Sequence, residues 1–361
     1  MELGDVWPGG ARPLVVRVPV EPVEAAVEAD AVDAAVRAGS VAVRGPMFGV
    51  AAQDEGDGQR WRVVVAISAG CPQAARDSLN SLLWFRAKDK AQDRAERRAL
   101  LAAVARLESE PVDELAVDGT RFRIVRADEY AGLGADGIER PRPTDPEPLV
   151  PDWSPGSRSA EVDEGLVLDP DAPVTPAQAA ERLALRGFAH TGSRFPEDVR
   201  GDSRRALRTH PDVLLLPATF TVVEKNGPGW HPISGPHATA HGARRSLDFS
   251  LTWFAPRRDG LIPMAAGRHV DARTEAAART PDTAEELIAY AEAADRLRAG
   301  RVDRLEVLGT EYRIVRTRRL LRWGPDGPEG PRPSDVADHG PERLHPVLDE
   351  DGTVHFDSDE D

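Results

Sequence analysis

Cysteine is almost absent from this 361-residue chain: Cys71 is the only one. A single thiol excludes an intrachain disulfide and any multi-cysteine zinc site, and suits a reducing compartment. Long apolar runs are missing as well, since no stretch approaches the roughly 20 residues that span a bilayer. The opening MELGDVWPGGARPLVV carries an early acid and no apolar signal-type stretch, so we expect a cytoplasmic protein. Basic residues are in deficit, 46 Lys and Arg against 61 Asp and Glu, for a formal charge of −15. That balance disfavours general binding to nucleic acid or anionic lipid, because both need a net attractive field. Aromatic residues make up only 5%, beside 31 prolines and 31 glycines, which forecasts much loop. No Gly-x-Ser-x-Gly elbow, Walker loop or His-Glu-x-x-His motif occurs, and no cofactor is expected.

What is present is repetition. VDELAVDGTRFRIVR from Val112 returns as VDRLEVLGTEYRIVR from Val302, and without a gap 18 of the 34 positions between Val112 and Asp145 are identical to those between Val302 and Asp335. The pattern predicts an internal duplication. Each copy alternates apolar residues around a Gly-Thr turn, with Phe122 and Ile124, or Tyr312 and Ile314, on one face; this predicts a β-hairpin. Upstream, PMFGVAAQDEGDGQRWRVVVAIS and PATFTVVEKNGPGWHPIS predict a further hairpin in each copy. The stretches RDSLNSLLWF and RRSLDFSLTWF, whose tryptophans, Trp84 and Trp253, each lie 23 residues beyond Trp61 or Trp230, predict helices.

Helices are also expected over residues 89–107 and 281–299, the second opening at Thr280-Pro281 and stopping at Gly300, and over 176–186, with Thr175 as cap, Gln178 three residues on and Gly187 as stop. The predicted fold class is α+β, in two related halves that each read hairpin, helix, helix, hairpin and then a proline- and glycine-rich loop. The first repeat covers residues 1–145 and the second 175–335. A proline-rich acidic linker, 146–174, lies between them, and an acidic tail, 336–361, follows. The second repeat has 21 more residues between Phe254 and Val302 than the first has between Phe85 and Val112. An insertion near 255–280, confined to one copy, is a natural place for divergent function.

The proline-rich loops retain matched charges: Asp136, Glu139, Arg142 and Asp145 against Asp326, Glu329, Arg332 and Asp335. The hairpins retain Arg123 and Arg126 against Arg313 and Arg316. The favoured reading is a structural brace in which Asp-Gly makes a turn with positive φ and the acids bond the hairpin arginines, laying each loop back over its own half. Two related anion sites are the alternative. His231, His237 and His241 cluster in WHPISGPHATAHGARRSL, and His237 and His241 would share a helix face if the helix began early enough, which makes them candidate metal ligands. Against that, no third ligand is evident.

Three further motifs are set aside. GLGADG, Gly132 to Gly137, matches a dinucleotide pattern but is followed by IERPRP, which cannot open a helix there. The tail VLDEDGTVHFDS imitates a calcium loop with Val347 and Ser358 at the two strongest ligand positions; a hairpin placing Val354 and Phe356 on one face fits better. RIVRTRRLLRWG, from Arg313, lacks interleaved aromatic platforms and reads as a solvated or internally paired strand. Cys71, before Pro72, reads as an inert buried thiol.

Together VDRLEVLGTEYRIVR, HATAHGARRSLDFSLTWF and LRWGPDGPEGPRPSD resemble an uncharacterised actinobacterial protein family, a domain of unknown function. The resemblance implies a soluble bacterial protein and no particular chemistry. The leading expectation is a non-catalytic binding or interaction protein whose partner, a protein or a small molecule, meets the groove between copies or the second-copy insertion. The alternative is a metal-dependent enzyme or ligand-binding protein centred on the three histidines.

Overall fold

Hairpins stand at both Gly-Thr turns. Leu115 pairs with Phe122 and Leu305 with Tyr312, and the turns pass through Gly119 and Gly309 at φ 74° and 80°, a region that glycine enters without Cβ strain. The structure is a computed structural model. It describes residues 11–356 apart from 155, 226 and 228; the first ten residues and the end of the acidic tail, Ser358 included, lie outside the described residues.

In chain order the elements are α1 (Pro22–Arg37), β1 (Ser40–Asp54), β2 (Trp61–Ala69), α2 (Pro72–Asp89), α3 (Arg94–Ser109), β3 (Glu114–Val117), β4 (Thr120–Gly134), β5 (Gly137–Ile138), β6 (Val167–Leu168) and α4 (Pro176–Arg186). They continue with α5 (Glu197–Thr209), β7 (Asp212–Leu215), β8 (Thr219–Lys225), β9 (Trp230–Pro232), α6 (Ala240–Phe249), a π turn (Ser250–Phe254) and α7 (Ala255–Arg258). The last are α8 (Ala272–Ala278), α9 (Pro281–Ala299), β10 (Arg304–Val307), β11 (Thr310–Gly324), β12 (Gly327–Pro328), β13 (Val347–Leu348) and β14 (Val354–His355). Helices packed on an antiparallel sheet make the fold α+β.

Local signals explain most helix ends. Thr175 and Gln178 form a reciprocal capping box at α4, and Asp93, Thr239 and Asp271 cap α3, α6 and α8 through their side chains. The Asp93 cap sets the start of α3 at Arg94, so the second helix, expected from residue 89, begins five residues later, and Asp89 closes α2 instead. Helices α1 and α5 were not anticipated; neither has a side-chain cap. Among the described residues no helix is long and apolar enough to cross a membrane.

One twelve-stranded sheet, ordered β6-β2-β1-β4-β11-β8-β9 along its main path, runs through both expected halves. Its centre is the antiparallel pair β4 and β11, matched at Ala127–Leu321, Asp128–Leu320, Glu129–Arg319 and Tyr130–Arg318. With the repeat offset of 190 residues, Glu129 and Arg319 hold the same repeat position, so this ladder reads the same when the strands are exchanged. Helices α2 and α3 cover the first half's sheet over Phe48, Val50 and Ile124, while α6 and α9 cover the second half's over Phe220, Val222 and Ile314. A third apolar cluster, including Trp61, Val125, Leu321 and Trp323, joins the halves. At Gly49 a Cβ would sit 2.7 Å from backbone atoms of residues 65 to 67, so β1 and β2 approach there only because the side chain is missing; the register shifts at the same place.

The 146–174 segment does more than link. It adds β6 to the edge of β2, places Leu168 in the joining cluster, and sends Asp163 to the sheet centre, where it pairs with Arg319 at 2.5 Å with both side chains fully buried. Arg319 also donates to the carbonyls of Ile67 and Pro217, and Asp163 accepts from the Ile67 N–H. Asp163→Ala would strand a buried guanidinium and is expected to lower the unfolding free energy by about 3–5 kcal/mol, whereas Asp163→Leu combined with Arg319→Met should recover most of that loss. Urea unfolding measures both; equal stability of the single and double variants would show that the backbone of the segment, and not the charge pair, holds it in place.

Candidate functional site

Two charged assemblies follow from this architecture, and the first is the pair of proline-rich loops. Their Asp-Gly turns have Gly137 and Gly327 at φ 96° and 109°, and each loop then crosses to the strand of the opposite half. The Arg126 N–H donates to the Glu329 carbonyl and its Nε to Asp335, at 2.9 Å each; the Arg316 N–H donates to the Glu139 carbonyl at 2.8 Å and its Nε to Asp145 at 3.0 Å. Arg123 Nη1 reaches the carbonyls of Asp326 and Pro328, and Arg313 Nη1 that of Asp136. Within each loop Arg142 binds Glu139 and Arg332 binds Glu329, while Asp145 and Asp335 accept the N–H groups of Arg142 and Arg332. The sequence analysis placed each loop over its own half; the bonds instead run between halves, because β4 and β11 are neighbours and each loop leaves the far end of its strand directed at the other.

The network also holds residues the repeat pattern did not single out. Asp128 binds Arg126 at 3.0 Å and the buried His190 at 3.2 Å. Burial alone would push its carboxyl up, but the Arg126 charge and the His190 bond hold it well below the usual range. In the basic run, Arg319 and Arg322 are almost fully buried, Arg322 donating to the carbonyls of Arg186, Phe188 and His210, and Arg318 pairs with Glu181. These cations are held inside the protein by carbonyls and carboxylates.

The histidines do not converge. Helix α6 begins at Ala240, so His237 lies before it, bridged to Phe220 in the sheet, and the shared helix face required for metal binding does not exist. His241 is buried and bonds the Asp152 carbonyl at 3.1 Å, and His231 is exposed on β9. Among the described residues no group of three His, Cys, Asp or Glu side chains could hold a metal ion. GLGADG spans the β4–β5 hairpin with no helix after it. Cys71 is a buried free thiol at the start of α2. In the tail, Val354 packs on the first-half core but Phe356 is 79% exposed.

The second assembly is a cleft of about 550 Å³ in the second half. It is walled by Trp153 and Ser154 of the middle segment, Arg245 and Phe249 of α6, Trp253 of the π turn, Arg268 and Arg273 of the insertion, and Arg298 of α9. Its origin is legible by comparing α2 with α6. Arg76 grips Asp113 through Nε and Nη2, and Arg244 grips Asp303 in the same manner, so the two helices start in register. Six residues separate Ser78 from Trp84, but seven separate Ser246 from Trp253. The additional residue is absorbed by the π turn, in which the Ala255 N–H reaches the Ser250 carbonyl, five residues back. Within it Trp253 is only partly buried and stacks on Phe249, with ring centroids 5.3 Å apart and planes 12° apart, whereas Trp84 is buried.

Charge in the cleft is uneven. Asp248 receives Arg273 at 2.7 Å and Arg298 at 2.8 Å, so these two guanidinium groups share a carboxylate. Among the described residues Arg245 donates to the carbonyls of Ser154 and Ser157 and to the Ser159 hydroxyl, and its charge helps to lower the pKa of the nearby, exposed Asp152. Arg268 is exposed and has no hydrogen-bond or ion-pair partner among the described residues. His237 also lines the cleft; its Nε2 is buried without a partner, and burial pushes its pKa down. The sequence analysis flagged the insertion that carries Arg268 and Arg273 but missed Arg245, Arg298 and Trp153; the available signal was the one-residue difference between two otherwise similar helices.

The Asp128 network generates a pH prediction. A carboxyl whose native pKa is depressed stabilises the fold above its unfolded pKa, near 3.9, and loses that contribution as pH falls through the native value. Asp128→Asn is therefore expected to be about 3–5 kcal/mol less stable than wild type near neutral pH, with the difference shrinking as pH is lowered from about 4 towards 2. Urea unfolding across that range is the measurement, and a gap that stays constant contradicts the assignment.

Comparison with known proteins adds family and no chemistry. No curated protein and no solved structure matches the chain. The model of DUF5954, a family of unknown function, matches residues 21–338, which takes in the whole sheet, both crossed loops and the arginine cleft, and the chain belongs to that family.

Proposed function

We propose that this protein is a non-catalytic binding protein, built by duplication of one αβ unit, whose second half keeps a cleft for a small anionic molecule. Support for duplication comes from equivalent bonds made by equivalent residues. The Thr144 N–H meets Asp30 of α1 and the Ser334 N–H meets Asp202 of α5; Arg123 lies over Trp61 and Arg313 over Trp230; Arg76 and Arg244 hold Asp113 and Asp303. Independent helices would have no reason to repeat such pairs.

The observation that carries the binding reading is the positive charge of Arg245 and Arg268, two guanidinium groups facing a concave space, neither of which forms an ion pair with a carboxylate among the described residues, although Arg245 acts at longer range on the exposed Asp152. Elsewhere the chain spends acids freely on its arginines, and the overall charge is strongly negative. A guanidinium that hydrogen-bonds no carboxylate in such a protein is placed to recruit an anion from solution. The non-catalytic part rests on His237, which lines the cleft: among the described residues no hydrogen-bonded carboxylate sets its tautomer, the arrangement that general-base histidines use.

Orthophosphate and citrate serve as probes. At a concentration near 100 times Kd, a bound anion stabilises the native state by roughly 2.7 kcal/mol, a rise in melting temperature of a few degrees for a chain of this size. Wild type should show that rise and Arg268→Gln should lose most of it. Arg268 is exposed and makes no hydrogen bond or ion pair among the described residues, so its replacement is expected to leave the fold intact. No response to any anion in wild type, or an undiminished response in the variant, rejects the reading.

A further inference from the structure

The two halves treat the same tryptophan position differently, and the difference specifies the ligand. In the first half the chain that follows the second proline-rich loop returns across the molecule and covers α2. His345 stacks on Trp84 with centroids 4.7 Å apart and planes 17° apart, meets Phe85 edge-on at 5.4 Å, and bonds the Ser81 hydroxyl at 2.9 Å through Nε2. The Trp84 Nε1 donates to the Pro346 carbonyl, and Leu348 of the β13–β14 hairpin enters the core beside it. A flat nitrogen heterocycle from the chain itself thus occupies the space next to the helix.

In the second half the equivalent segment, the one that follows the first proline-rich loop, also crosses over. Glu147 pairs with Arg244, and the Asp152 carbonyl receives His241. There the likeness stops. Trp153 turns edge-on to His241, at 81°, and supplies no ring to Trp253; the cleft is what remains. Trp253 has Phe249 stacked on it and the Arg257 guanidinium 4.2 Å from its ring centroid, so the open aromatic face belongs to Phe249, which is 56% exposed. Arg245 and Arg268 supply two positive charges along the same wall.

Resting on the reading of the cleft as an anion site, we propose that its ligand is a phosphomonoester of a flat aromatic ring system, the ring stacking on Phe249 and the phosphate held by Arg245 and Arg268. Stacking on an aromatic side chain tolerates many ring systems because every one presents a π-face. A phosphomonoester carries between about −1.5 and −2 charges at neutral pH, matching two guanidinium groups that hydrogen-bond no carboxylate among the described residues better than a single carboxylate does. A volume near 550 Å³ lies within the range of small-molecule sites. Mononucleotides and simple aryl phosphates share this chemistry and differ in ring size.

Titration calorimetry on the full chain separates the components, with orthophosphate, phenyl phosphate, adenosine 5′-monophosphate and adenosine as titrants. At least one of the two aromatic phosphates is expected to bind 10-fold or more tighter than orthophosphate, a difference of about 1.4 kcal/mol, and the larger gain identifies the ring class. Adenosine should bind more weakly than its monophosphate. Phe249→Ala, a change at an exposed ring, should bring the aromatic phosphates to within about 2-fold of orthophosphate while leaving orthophosphate itself unchanged; Arg268→Gln should weaken all three phosphates alike. If orthophosphate binds but neither aromatic phosphate binds more tightly, or Phe249→Ala preserves the gain, the ring assignment is overturned and the anion site survives. If no phosphate binds wild type, both fall together.

Discussion

The molecule depends on carboxylates delivered from one half to buried arginines of the other. A four-pair ladder between β4 and β11 is a short seam for a sheet of twelve strands, and backbone hydrogen bonds alone tolerate slippage. Arg126–Asp335 and Arg316–Asp145 make slippage expensive, because a shift would leave side chains that are almost wholly buried without their counter-charges. Such pairs add little net stability over an apolar core of the same shape. Their contribution is register: the partners meet in one alignment of the strands, and Arg319–Asp163 ties the intervening segment to the same alignment.

The crossing of the chain extends beyond the loops. After each Pro-Arg-Pro stretch the polypeptide continues over the other half, residues 339–355 onto α2 and residues 147–159 onto α6. Neither half is therefore complete without chain from its counterpart, and the halves act as one structural unit. Within that near-symmetric scheme the departures cluster at one place: the π turn, the 255–280 insertion and the edge-on Trp153 all meet at the second-half cleft. A packed interior accommodates an additional helical residue most readily where the displaced side chains can reach solvent, and the π turn opens onto the cleft.

Much of the fold was readable because local chemistry and packing agree. Thr175 with Gln178, Thr280 before Pro281, and the two Gly-Thr hairpins each carry a signal that acts within a few residues of itself. Helices α1 and α5 lack side-chain caps, and α1 buries little beyond Ala34 while exposing Val23 and Val36, so its periodicity is faint. The inner ends of β4 and β11 escaped notice for the opposite reason: residues 125–131 are buried on both faces, which erases the alternation that marks a strand. The candidate metal site failed on a helix start three residues later than His237 requires, a margin finer than sequence patterns resolve.

The direction of the loop bonds was hidden for a different reason. Arg126 and Arg316 are the same residue at the same repeat position, and so are Asp145 and Asp335. Bonding within a half and bonding between halves therefore use identical partners in identical order, and no pattern of residue types separates the two. Only geometry does: the central ladder sets the strands side by side, and a loop leaving the end of one strand meets the neighbouring strand before it could fold back on its own. The matched arginines and acids of the loops serve the brace; where the halves differ, as at Ser81 against Phe249 or His345 against an open cleft, the second half is less closely packed.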